Sequence, residues 1–130
     1  MMKNILATSL LWAGLVFSIQ AHAWEEIGTD EESHYSVDLN NMKYLNKSGT
    51  QRQAWFKVRA LEDSAIMKKG QYMMSLNSFD CANARFRIDS NIVYSDQKKV
   101  VSQMDQSSGW LDTVPESLFD QLAYVVCSHD

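Results

Sequence analysis

The sequence predicts an α+β domain: an antiparallel sheet of about six strands packed by a C-terminal helix and closed by one disulfide. Three observations carry this expectation. Apolar and polar residues alternate with a period of two over most of residues 24–104, the signature of half-buried strands. The apolar period changes to that of a helix after Pro115. The chain also has two cysteines, Cys81 and Cys127, behind a segment that reads as an export signal.

That segment comes first. Lys3 supplies a positive start, and Ile5 to Ile19 form an apolar run broken only by Thr8, Ser9, Gly14 and Ser18. Gln20-Ala21-His22-Ala23 ends in an A-x-A pattern, so residues 1–23 are expected to be a signal peptide cleaved before Trp24. A membrane-spanning helix needs roughly 20 apolar residues, more than this run supplies. With the run cleaved, the mature form is expected to have no transmembrane anchor, and no cysteine lies near the cleavage point to carry a lipid. Residues 24–130 then make one domain, with a single proline and no linker-like tract.

The strands follow in order. Trp24 to Ile27 and His34 to Leu39 open the set. In Gln53 to Ala60, one face carries Ala54, Phe56, Val58 and Ala60, and the other carries Gln53, Trp55, Lys57 and Arg59. Gln71 to Asp80 follows. In Ala84 to Asp89, Ala84, Phe86 and Ile88 face inward while Arg85 and Arg87 face outward; Asn91 to Tyr94 and Lys99 to Met104 complete the sheet. Such one-sided patterns predict one face on a core and one face wet. Asn46 to Gly49, Lys68 to Gly70 and Ser95 to Gln97 read as turns.

In the last segment Leu118, Phe119, Leu122, Ala123, Val125 and Val126 share one side of a helical wheel. Pro115 is expected in the first helical turn, with Glu116 at the positive end of the helix dipole. Two cysteines in an exported chain pair most simply with each other. A Cys81–Cys127 bridge closes a loop of about 47 residues, worth roughly 4 kcal/mol in the chain-entropy model.

Charge and motifs then narrow the function classes. Removing Lys3 leaves 11 basic against 16 acidic residues, a formal charge of −5 on residues 24–130. That balance argues against nucleic-acid binding and against adsorption to an anionic membrane. The sequence contains no G-x-S-x-G, no H-E-x-x-H and no glycine-rich phosphate loop, so no enzyme is expected. His34 stands alone as a candidate base, and Met67, Met73, Met74 and Met104 form no tight cluster with a histidine; no cofactor or metal is expected. The candidate contact residues are the turn pairs Lys68-Lys69 and Lys98-Lys99, which would suit an acidic partner or a sulfated glycan, and the outward Arg85 and Arg87. Trp24, Trp55 and Trp110 are either interface anchors or core.

An ordered series of motifs runs through the chain. Tyr35-Ser36-Val37-Asp38 and Trp55 are followed by Tyr72 through Ser75, Asp80-Cys81 and Arg85-Phe86-Arg87-Ile88. Then come Tyr94-Ser95, Val101-Ser102, Trp110, Val114-Pro115-Glu116-Ser117 and Val126-Cys127. In this the sequence resembles the surface-adhesin protein E family of Gram-negative bacteria. The resemblance implies an antiparallel sheet of about six strands, a C-terminal helix and a disulfide between the matching cysteines. It also implies a non-enzymatic domain that binds host extracellular-matrix or serum proteins, and a homodimer. The family's namesake is lipid-anchored, whereas Trp24 follows the expected cleavage site here, so both periplasm and outer cell surface are open. The alternative is a periplasmic envelope regulator or an inhibitor of a lytic enzyme. For that reading an S-G-x-x-Y loop is the expected mark, and neither Ser48-Gly49 nor Ser108-Gly109 continues to a tyrosine.

Overall fold

A computed structural model describes residues 24–104 and 106–130; the expected signal peptide, residues 1–23, lies outside the described residues. The described chain forms β1 (Glu25–Thr29), β2 (Ser33–Val37), β3 (Lys43–Tyr44), β4 (Gln51–Ala60), β5 (Tyr72–Asp80), β6 (Arg85–Tyr94), β7 (Val100–Gln103), β8 (Leu111–Asp112) and helix α1 (Leu118–Cys127). All pairings are antiparallel, and six strands run in the order β1-β2-β4-β5-β6-β7. The expected six-strand sheet is therefore present, with the two-residue β3 and β8 added against β4 and β6.

Helix α1 covers one face. Val37, Ala54, Phe56, Phe79 and Phe86 are buried there against Leu122 and Val126, and the Phe86 and Phe119 rings stack at 4.0 Å. Beyond the helix, the loop after β4 folds Met67 onto Ala60 and Val93 as a second, smaller cluster. Ser75 and Asn77, buried and hydrogen-bonded to each other at 3.1 Å, lie on the same face.

Two ties hold the helix end. Cys81 and Cys127 are bonded as expected, 46 residues apart in the chain. Arg52, on the covered face of β4, donates to the Val126 carbonyl at 3.0 Å and to the His129 carbonyl. A cation at a helix C-terminus meets the carbonyls that have no partner within the helix.

The structure corrects two local expectations. Helix α1 begins at Leu118, not at Pro115, because Ser117 accepts the Asp120 N–H at 3.3 Å and Asp120 accepts the Glu116 N–H at 2.9 Å. The Ser117 cap satisfies one free donor of the first turn, and the Asp120 carboxylate ties down the residue before the cap, Glu116, which has a left-handed φ of 66°. Ala84 is in the β5–β6 turn with φ 52°, exposed and outside the core.

The segments expected at residues 84–89 and 91–94 form one strand, Arg85–Tyr94. The register slips between Leu76 and Asn77, so that Leu76 pairs Ser90 while Asn77 pairs Ile88. The extra residue, Asp89, is a β-bulge. It shifts the alternation by one and keeps both Ile88 and Val93 on the covered side.

Candidate binding surface

Alternation along the central strands places a second set of side chains on the face that α1 leaves uncovered. Trp55 pairs across to Leu76, Lys57 to Met74 and on to Ile92, and Arg59 to Tyr72 and on to Tyr94. Cross-strand neighbours on one face contact each other directly: the Tyr72 and Tyr94 rings stack at 5.2 Å, and the Lys57 ammonium lies 4.9 Å from the centre of the Tyr72 ring. On the other side, Glu25 pairs with Val37, so Trp24 arrives beside Asp38, whose N–H bonds the Trp55 carbonyl at 3.0 Å.

On this face an open cavity of about 320 Å³ is lined by Trp24, Asp38, Trp55, Met74, Ile92 and Tyr94. Its walls are aromatic and aliphatic. Asp38, 2% exposed and accepting from Asn41 at 2.8 Å, contributes a buried carboxylate. A smaller cleft of about 210 Å³ shares the Trp24 wall and is lined by His34, Ser36, Lys57 and Arg59. Glu26 pairs with His34 at 3.2 Å, while neither Lys57 nor Arg59 forms an ion pair among the described residues.

At the β5–β6 hairpin the same face is a closed polar network. Arg85 donates to Asp80 at 2.7 Å, and Asn83 donates to the same carboxylate at 3.0 Å. Those bonds, the Arg85 contact above all, hold the Asp80 carboxyl below the usual carboxylate range. Arg87 pairs with Asp89, which also accepts from Ser78 and, at 2.9 Å, from Gln53. Trp110 packs over both guanidinium groups, 5.5 Å from that of Arg85 and 4.6 Å from that of Arg87. Both arginines do face away from the helix, as their alternation predicts, yet each is half-buried and neutralised by its own carboxylate.

The lysine turns stand at the other end of β6, roughly 30 Å away at about 3.3 Å per residue. Lys68, Lys69, Lys98 and Lys99 are all exposed. Their turns adjoin: a Cβ at Gly70, which has φ 88°, would sit 3.9 Å from the Asp96 Cβ. The fold thus gathers four of the six candidate contact residues and separates them from the other two. Met67 and Met73 fill the second cluster while Met74 lines the open cavity, so the methionines are divided between the two faces.

In the sequence the outer side of β4 reads as wet, whereas the structure places a cavity against it. The signal was present in the neighbouring strands. Tyr72 and Met74 alternate with Met73, and Ile92 and Tyr94 alternate with Val93, so both sides of these strands are apolar.

The surface-adhesin protein E family model matches residues 24–128, which takes in the whole sheet, the helix and both cysteines. No curated protein and no solved structure matches the chain. With the sheet, the helix and the Cys81–Cys127 bridge all found within the matched span, the chain belongs to the surface-adhesin protein E family.

Proposed function

We propose that this chain is an exported, non-enzymatic protein-binding domain of the bacterial cell envelope that engages host extracellular-matrix or serum proteins. The observation that carries this reading is family membership over residues 24–128. The uncovered sheet face supports it, since its apolar cavity and the cations Lys57 and Arg59, which have no ion-pair partner among the described residues, offer contact chemistry. In this reading residues 1–23 are removed before Trp24 during export. The adjoining turns with Lys68, Lys69, Lys98 and Lys99 add electrostatic steering toward an acidic partner surface. Arg85 and Arg87 support the hairpin below them. Among the described residues no helix is long and apolar enough to cross a membrane, so attachment to the envelope depends on something other than a spanning helix in this domain.

The test is direct. Protein purified from the cells that export it should bind saturably to at least one member of an immobilised panel of matrix and serum proteins. Flat binding curves across the panel overturn the adhesin reading.

A further inference from the structure

We infer that the uncovered face takes an extended peptide segment of the partner that carries a large apolar residue and, two positions away, an aspartate or glutamate. The inference rests on the protein-binding reading above and names the chemistry that this face recognises.

The first half of the motif follows from the cavity. A space of about 320 Å³ walled by Trp24, Trp55, Met74, Ile92 and Tyr94 has the apolar lining and the volume for one aromatic or aliphatic side chain. Buried aromatic pockets of this kind are where single side chains anchor protein interfaces. Asp38, at 2% exposure and bonded to Asn41, adds one buried carboxylate to that lining, the rest of which is aromatic and aliphatic.

The second half follows from what borders the cavity. Lys57 and Arg59 project from the same face of β4 as Trp55, and they line the cleft that shares the Trp24 wall. The domain is acidic overall, yet these two cations have no carboxylate partner among the described residues. An approaching carboxylate meets an ammonium and a guanidinium, and Arg is well shaped for bidentate contact.

The spacing joins the halves. Trp55 and Lys57 are two residues apart on one strand, and side chains two apart on any extended chain are separated by about 6.8 Å on the same side. A partner segment lying along β4 therefore places residue i over the cavity and residue i+2 or i−2 over the cations. A basic anchor would instead meet Lys57 and Arg59 with like charge.

The experiment is a selection of random seven-residue peptides displayed on phage against the exported protein. The expected outcome is enrichment of an aromatic or large aliphatic residue two positions from Asp or Glu. In the Lys57→Glu/Arg59→Glu variant, whose side chains lie outside the core, a selected peptide should bind at least tenfold more weakly. Reselection on that variant should replace the acidic residue by Lys or Arg, and a thermal melt matching the parent shows that the fold is intact. Enrichment of basic residues on the parent, absence of any consensus, or unchanged affinity in the variant overturns the inference. The outcomes separate it from the broader reading. Saturable binding to a matrix or serum protein that is unchanged by Lys57→Glu/Arg59→Glu leaves the adhesin reading standing and removes the peptide site. A charge-dependent peptide consensus without any matrix or serum binding keeps the site and removes the adhesin reading.

Discussion

The two faces of the sheet are built from alternate residues of the same strands, and they end in different states. On the covered face, Phe56 and Phe79 meet edge-to-face at 5.9 Å, both 1% exposed or less, under a helix held by a disulfide and by Arg52. On the other face, Trp55, Met74 and Ile92 are half-buried around a cavity that no element of the described chain fills. The difference lies in what lies across from each set. Apolar residues facing a helix stripe bury most of their surface and stabilise the fold in proportion to that area. Residues of similar type facing solvent bury only what their neighbours supply, and a contiguous exposed apolar patch is a mark of a contact surface. Within the uncovered face the contrast repeats. Arg85 and Arg87 are neutralised by Asp80 and Asp89 beneath Trp110, whereas Lys57 and Arg59 have no carboxylate partner among the described residues.

The comparison can be broken most sharply at the disulfide, which holds the cover in place. Replacing both cysteines, Cys81→Ser with Cys127→Ser, should lower unfolding stability by about 4 kcal/mol, as expected for a loop of this length. Urea unfolding of the variant against the oxidised protein measures it; equal midpoints would mean that the helix is held by packing and Arg52 alone. A smaller effect compares the faces themselves. Phe79→Ala should cost about 3 kcal/mol, because it leaves a cavity in a closed core. Trp55→Ala should cost about 1 kcal/mol, because the Trp55 ring is only half removed from water. Similar losses at both positions in urea titrations would show that the uncovered face is part of the core.

The last effect tests the hairpin network. Asp80 has its carboxyl held low by Arg85 and Asn83, and Asp30 has its own held low by the N–H groups of Glu32 and Ser33. For a carboxyl lowered in the folded state, the contribution is present above its unfolded value of about 3.9 and is lost as pH falls toward the folded value. Melting temperature should therefore decline below about pH 4. Asp80→Asn should cost about 1.5 kcal/mol at neutral pH, the low end for a hydrogen bond between charged groups, and should make the acid decline shallower. An acid decline as steep as that of the parent would place the effect elsewhere.

Much of this was legible beforehand, and the exceptions have causes. The strands expected at Gln53 to Ala60 and Gln71 to Asp80 are readable because alternation against a one-sided core repeats every two residues, and the structure moves only their first residues, to Gln51 and Tyr72. The helix stripe was readable for the same reason at a longer period, and Leu122 and Val126 are the residues buried most deeply on it. Its start falls later than Pro115 suggests because a proline is tolerated in a first helical turn without requiring one there, while the Ser117 side chain that accepts the Asp120 N–H is the stronger start signal. Asp89 divided one strand into two because a bulge shifts the period without ending the pairing.

The sequence by itself determined the sheet, the helix, the disulfide pair and the family, because periodicity, composition and ordered motifs are local or need only chain order. The tertiary structure alone decided which charged residues are available. Arg87 and Lys57 look alike in their strands, and only the bulge at Asp89 and the return of Trp110 over the hairpin set them apart. It alone also drew Trp24, at the start of the domain, against Trp55 and Tyr94 to make a cavity. Contacts of that kind depend on register between distant strands, and register is set by the sum of many pairings rather than by any one segment.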